Sequence, residues 1–310
     1  DRLTVMLVGL AMGATVSIAQ ATGGGDKKRT ASAIGNTVTL FMLLSLALTA
    51  LLLALRGGIV SIMSTPEEAV QGTLAYLTVC FIGIPFITVY NIIASIFRGL
   101  GDSKSPMYFI AVACVVNIAL DYYFMGTLHL GPAGAALGTT LSQAMSVLVS
   151  LAVILKRRLI SVRRADFRPQ RAVMGKLLQI GVPVALQDGF IQVSFVIITI
   201  IANRRGLTDA AAVGIVEKII GFLFLIPSSM LSTVSALGAQ NIGAGKPERA
   251  RLTLRYAAMI ACSFGIAVVI LTLFIAEPLV EITLIHSPAL RLFWICLLYT
   301  SPSPRDGATS

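Results

Sequence analysis

Long apolar segments alternate with short polar segments along the whole chain of 310 residues. A helix needs about 20 apolar residues to cross a bilayer, and segments of about this length or longer recur throughout. Their number and length exclude a soluble protein with a few core helices, so the pattern predicts an all-α polytopic membrane protein. The predicted spans lie near residues 3–22, 30–55, 69–97, 105–125, 131–155, 177–202, 210–241 and 256–276, with a partial ninth span from about 282.

The composition supports this prediction, because 56% of the residues are hydrophobic and only 12% are charged. A soluble domain carries about 25% charged residues. The net charge of +10 raises the question of nucleic acid, but the basic residues lie in the loops, so we expect no nucleic-acid partner. The four cysteines have no metal-ligand spacing, and we expect neither a bound metal nor a cofactor.

The basic residues also predict an orientation. Most of the 24 Lys and Arg residues fall in alternate loops, whereas the opposite loops carry acidic residues. Positively charged loops stay in the cytoplasm, so residue 1 is expected outside. This position requires an odd number of spans upstream, and the simplest account is one missing N-terminal helix. The predicted cytoplasmic loops are 23–30, 98–105, 156–176 and 243–255.

An internal repeat relates two of these loops. Ala19-Gln-Ala-Thr-Gly-Gly-Gly-Asp-Lys-Lys-Arg29 aligns with Ala239-Gln-Asn-Ile-Gly-Ala-Gly-Lys-Pro-Glu-Arg249 at an offset of 220 residues. Six predicted spans separate the two copies, so both have the same topology. This pattern predicts two six-helix bundles in a parallel repeat, as in secondary transporters with substrate sites between the halves.

The repeat divides the chain into four predicted regions. Residues 1–156 form an N-terminal lobe without its first helix, and residues 157–176 form a basic cytoplasmic linker, for which solvation is favoured over lipid-headgroup contact. Residues 177–295 form a truncated C-terminal lobe. Residues 296–310 resemble a translated sequencing adaptor and are excluded from fold reasoning.

Asn117 and Asp121 are the first polar residues that require an explanation. They are four residues apart near the end of an apolar span, so they lie on one helical face. A carboxylate within a membrane helix is costly unless it faces a cavity or a partner. The pair is therefore predicted to line a functional site.

Several motifs together resemble the multidrug and toxic compound extrusion (MATE) family of transporters. The resemblance extends from residue 3 to about 285, and each motif alone is weak. The matching pieces are Ala-Gln-x-x-Gly-x-Gly in both repeat copies, Ile-Phe-Arg-Gly-Leu-Gly-Asp-Ser-Lys-Ser-Pro at 96–106, Asn117-Ile-Ala-Leu-Asp121, Gly-Ala-Ala-Leu-Gly-Thr-Thr-Leu-Ser-Gln at 134–143, and Pro183-Val-Ala-Leu-Gln187.

The resemblance implies twelve helices in two bundles, of which this chain would hold helices two through nine and part of ten, about eight and a half helices. It implies a monomeric, multi-pass antiporter of the plasma (inner) membrane that exports cationic or amphipathic compounds in exchange for H⁺ or Na⁺. In one branch of the family an Asp and an Asn on helix five and a Thr on helix six line an ion-linked cavity.

Those positions match Asp121, Asn117 and Thr139 in this sequence, with Na⁺ binding expected at Asp121 if sodium is the coupling ion. Another branch carries an acid on helix seven, close to the position of Asp188. The residues predicted to line a substrate cavity there are Asp188, Gln187 and Gln192.

The sequence disfavours three alternative functions. Gly99-Leu-Gly-Asp102 matches a motif of intramembrane aspartyl proteases, but this Asp lies in a basic loop, so an enzyme is not expected. A lipid-linked oligosaccharide flippase of the same superfamily would need several basic residues in its cavity, whereas the spans here contain mainly acids. A channel is disfavoured by the two-lobe repeat.

Overall fold

Eight long α-helices make up almost all of the described structure, a computed structural model that covers residues 2–62, 67–157 and 162–284. A π-helix, Tyr122–Thr127, extends the fourth α-helix, and a 3-10 helix, Arg164–Phe167, precedes the sixth. The α-helices are α1 Arg2–Gly23, α2 Lys27–Ile62, α3 Glu67–Gly99, α4 Lys104–Asp121, α5 Gly131–Arg157, α6 Arg171–Arg205, α7 Leu207–Gly243 and α8 Pro247–Leu284.

The predicted all-α polytopic class is confirmed. Each of the eight full predicted spans coincides with one α-helix, and large apolar side chains such as Ile118 and Leu148 are exposed on their outer faces, as lipid contact requires. Within the described ranges, seven helices are long and apolar enough to cross a membrane: Lys27–Val60, Val70–Gly99, Lys104–Thr127, Ala133–Lys156, Arg171–Arg204, Leu223–Gly243 and Pro247–Leu271. Residues 285–310, which include most of the predicted ninth span and the adaptor-like tail, lie outside the described residues.

The sequence repeat is also a repeat of local structure. Gly24 and Ala244 donate their backbone N–H groups to the carbonyls of Gln20 and Gln240 at 3.1 and 2.9 Å. Gly25 and Gly245 then adopt φ values of 71° and 70°, a conformation in which a side chain would be strained. Both copies therefore end their helix with the same glycine turn, which is why glycine occurs at this position in each.

The helices divide into two compact units. The first consists of Asp1–Asp188 with Ser235–Ala250, and the second of Gly189–Val234 with the residues from Arg251 onward. Apolar side chains of α1, including Leu10 and Ile18, form the core of the first unit with residues of α2, α3 and α6. A second core cluster contains an edge-to-face pair, Phe97 and Phe109, whose ring centroids are 5.5 Å apart. The predicted lobe and linker boundaries remain predictions.

The basic linker is docked on α2 by its backbone. Asn36 is fully buried; its side-chain Nδ2 donates to the carbonyl of Asp166 at 3.3 Å, and its Oδ1 accepts from the backbone N–H of Gln170 at 2.7 Å. Gly35 allows this approach, because a Cβ there would collide with the carbonyl of Asp166. The arginine side chains at 163, 164, 168 and 171 are exposed, as expected of a solvated linker, but its backbone is held in place.

We expect Asn36→Ala to release this segment. The substitution leaves two backbone groups without their partner, at a cost of about 1–3 kcal/mol. Limited trypsin digestion of the folded, membrane-inserted protein should then cut after Arg163, Arg164 or Arg168 about 5- to 150-fold faster.

The matched control is Asn241→Ala, because the exposed Asn241 amide donates only to the carbonyl of Leu237 in its own helix. Equal cleavage rates for Asn36→Ala and the unchanged protein would show that the linker is not held by Asn36.

Candidate functional site

Asp121 lies at the junction between α4 and the π-helix Tyr122–Thr127. Such π-helical turns often occur at functional sites. The Asp121 side chain is partly buried, and its Oδ1 is shielded from solvent without a hydrogen-bond partner. Its carboxylate rests on Gly138 of α5, where a Cβ would overlap Oδ1. The missing side chain at Gly138 is therefore what admits the carboxylate between α4 and α5.

Two further polar atoms are buried without a partner along the contact between α4 and α5, which we call the α4–α5 seam. They are Nδ2 of Asn117, one turn before Asp121, and Oε1 of Gln143 on α5. The antiparallel helices are joined at one end by the Asp121–Gly138 contact and at the other by a hydrogen bond of 3.1 Å from the Ser146 hydroxyl to the Phe109 carbonyl. Asn117 and Gln143 lie between these contacts.

This concentration of unpaired polar atoms is unusual, because most buried polar groups in proteins have a hydrogen-bond partner. In the described part of the chain four buried side-chain atoms lack one, and three of them belong to this seam: Arg98 Nε, Asn117 Nδ2, Asp121 Oδ1 and Gln143 Oε1. A buried unpaired carboxylate oxygen is suited to accept a proton or to contact a cation. The α4–α5 seam therefore contains a carboxylate oxygen and an amide oxygen that are buried and unpaired.

Gln143 was not among the predicted site residues. Its sequence signal is its position four residues after Thr139, which places both on one face of α5. Thr139 itself follows Gly138 directly, but its side chain is exposed and its hydroxyl donates to the carbonyl of Ala135 in its own helix at 3.0 Å. The structure thus places the Asp121 carboxylate against α5 and Asn117 one turn before it on α4, and it shows the Thr139 hydroxyl engaged with backbone.

Asp188 lies in a different seam, between α6 and α1. A Cβ at Gly9 would lie 2.6 Å from Asp188 Oδ2 and 3.0 Å from the Cα of Ala185. Gly13 and Gly181 face backbone carbonyls of Leu177 and Leu10 in the same way. Glycines on both helices thus bring α1 and α6 together and place the Asp188 carboxylate against α1.

The other two predicted cavity residues differ in exposure. Gln187 is exposed, and Gln192, one turn beyond Asp188, is partly buried. Gln192 belongs to the second compact unit, whereas Asp188 is in the first. Across the described residues, no three His, Cys, Asp or Glu side chains come together as a metal site.

The comparisons with known proteins agree on one family. The MatE family model matches residues 2–123 and 183–292. Over 251 residues the chain is 32% identical to the "Probable multidrug resistance protein YpnP" of Bacillus subtilis. This alignment covers 80% of this chain and 56% of YpnP. Over 301 residues it is 26% identical to the "Probable multidrug resistance protein YoeA" of the same organism, covering 94% of this chain and 65% of YoeA.

A solved structure shares the fold. The "Crystal structure of MATE in complex with MaL6" superposes with a TM-score of 0.83 at 24% sequence identity, covering 94% of this chain and 65% of that one. The chain thus spans between about half and two thirds of the length of the proteins it matches. Because the matching family consists of transporters, the prediction that the chain is not an enzyme is confirmed. The family model covers most of the chain and agrees with its motifs, helices and relatives, so the chain belongs to the MatE family of multidrug and toxic compound extrusion transporters.

Proposed function

We propose that the protein is a secondary active antiporter that exports cationic or amphipathic small molecules in exchange for H⁺ or Na⁺ by alternating access. The observation that carries this proposal is the buried, unpaired Oδ1 of Asp121 between α4 and α5. A buried polar atom without a partner is unfavourable, so binding of a cation at this oxygen stabilises the seam. The protein is proposed to act as a monomer in the plasma (inner) membrane, with its basic loops in the cytoplasm.

Coupling follows from the change of charge at Asp121. A bound proton or Na⁺ neutralises the carboxylate. Neutralisation lowers the free energy of conformations that bury the carboxylate relative to those that expose it. The ion gradient supplies the driving force, and the membrane potential contributes about 2.3 kcal/mol per charge for each 100 mV. The substrate is then exported from the conformation that the bound ion stabilises.

Either coupling ion suits the polar atoms of the seam. A proton needs only the Asp121 carboxylate, whereas Na⁺ as a transported ion needs several oxygens. Asp121 Oδ1 and Gln143 Oε1 are both unpaired oxygens on facing helices. Asn117 and Thr139 are proposed to complete the site with their side-chain oxygens.

The cationic cargo is assigned to the α1–α6 seam. Asp188 is an acid within a span, and an intramembrane acid that faces a cavity attracts a positive ligand. Gln187 and Gln192 lie on either side of it along α6 and can donate or accept hydrogen bonds. Asp188 is therefore proposed to bind substrate, while Asp121 binds the ion.

Asp121→Asn should abolish ion-driven efflux. Asn has nearly the same shape as Asp but carries no charge to neutralise, so an imposed H⁺ or Na⁺ gradient should no longer accelerate export. We expect efflux of a fluorescent cationic dye from proteoliposomes containing the full-length protein to fall to the rate measured without a gradient, with unchanged membrane insertion.

The control is Asp26→Asn, which makes the same chemical change at an exposed helix start. Asp26 accepts the backbone N–H of Arg29 at 2.9 Å, and Asn caps helices equally well. Undiminished ion-driven efflux in Asp121→Asn would contradict the site, and flipping of a lipid-linked oligosaccharide without dye efflux would contradict the function.

Asp188→Asn should separate substrate binding from coupling. Loss of the negative charge removes a charge-assisted contact of about 1.5–3 kcal/mol, so the dye concentration for half-maximal efflux should rise roughly tenfold or more. The acceleration by the ion gradient should persist. An uncharged amphipathic substrate is the control and should keep its half-maximal concentration; an equal rise for both substrates would rule out charge recognition by Asp188.

A further inference from the structure

The two copies of the sequence repeat contact each other. At the end of α1, Gly23 faces the backbone carbonyl of Gln240, and at the end of α7, Gly243 faces the backbone carbonyl of Gln20. A Cβ at Gly23 would lie 2.7 Å from the carbonyl carbon of Gln240, and one at Gly243 would lie 2.8 Å from that of Gln20. The contact is reciprocal, and both of its halves depend on glycine. We call these four residues the Gln–Gly crossing.

The glutamine side chains connect the crossing to two more helices. Gln240 Nε2 donates to the carbonyl of Gly99 at the end of α3, at 3.0 Å. Lys176, in the second turn of α6, donates through Nζ to Gln20 Oε1 at 2.6 Å. Each repeat copy therefore packs its backbone on the other copy and binds a neighbouring helix through its Gln side chain.

The composition of the crossing suits a contact that forms and separates. It consists of backbone packing, which glycine makes possible, and of a few hydrogen bonds, each with a small net stabilisation. It lies at the basic end of the helices, which the proposed topology places in the cytoplasm. The repeat copies come from equivalent helices of the two predicted halves.

We propose that the Gln–Gly crossing is the closure of the transport path on the basic side of the membrane. It is formed in the present structure and must separate when substrate enters from that side. This inference rests on alternating access in the proposed function, but it identifies a separate element, because none of the four residues is among the proposed ion-binding or substrate-binding residues.

The test measures access rather than transport. Ala19 and Ala239 are buried and lie one turn before Gly23 and Gly243, on the same helical faces. In the full-length protein with its native cysteines replaced by serine, Ala19→Cys or Ala239→Cys reports closure through its rate of labelling by a membrane-impermeant maleimide added on the basic side.

Gly23→Ala and Gly243→Ala should each raise this rate at least tenfold, since the added methyl group prevents the close approach. The matched control is Gly238→Ala in α7, where a Cβ meets no atom within 4 Å; its rate should stay unchanged. Gln240→Ala adds no bulk and removes one hydrogen bond, so it should raise the rate about 2- to 12-fold. If the glycine variants do not accumulate in the membrane, the labelling rate of Gln240→Ala tests the proposal.

Unchanged labelling in Gly23→Ala, Gly243→Ala and Gln240→Ala, or an equal increase in Gly238→Ala, would overturn the proposal. Dye efflux is measured in parallel on the unsubstituted protein. Gradient-driven efflux together with unchanged labelling would reject the closure alone, whereas increased labelling in a protein that exports no dye would reject the proposed function alone.

Discussion

Close approach of helix backbones at glycine determines where this chain places its polar groups. Between helices in lipid the hydrophobic effect gives little driving force, so packing and polar contacts carry the association. A missing side chain at Gly138 admits the Asp121 carboxylate, and one at Gly9 admits that of Asp188. At Gly23 and Gly243 the admitted group is a backbone carbonyl of the other repeat copy. Each of these polar groups thus lies against a glycine of a neighbouring helix.

The basic side chains and the acids proposed to bind ligands lie in different places. Exposed arginines and lysines gather in alternate loops, where water and lipid headgroups solvate them. Asp121 and Asp188 lie instead in seams between helices, α4 with α5 and α1 with α6. Two separate seams offer a separate position for each ligand of the proposed exchange.

Much of the fold could be predicted from the sequence because bilayer thickness sets the length of an apolar span. The ends of the helices could not, since α2 runs from Lys27 to Ile62 although its predicted span was 30–55. Helical hydrogen bonding in α2 continues past the apolar stretch at both ends, including through Gly57 and Gly58. The i, i+4 spacing likewise identified Asn117 and Asp121, since both lie on one helix.

Contacts between helices remained outside the reach of sequence patterns. The partner of Asp121 is Gly138, which has no chemistry of its own, and Gln143 acquires its interest only from burial on the facing helix. Docking of the linker by Asn36 depends on residues 130 positions apart. Thr139 matched a family position, yet its hydroxyl hydrogen-bonds to its own backbone, which no motif indicates.

The docked linker has a mechanical consequence for α6. Asn36 holds the backbone of Gln170, and α6 begins at the next residue, Arg171. This hydrogen bond holds the start of α6, so a change in the direction of α6 has to occur further along the helix. Pro183 provides the place, because it lacks the N–H that would bond to the carbonyl of Gln179. Asp188 follows five residues later, within the segment 184–205 whose angle this hinge would set.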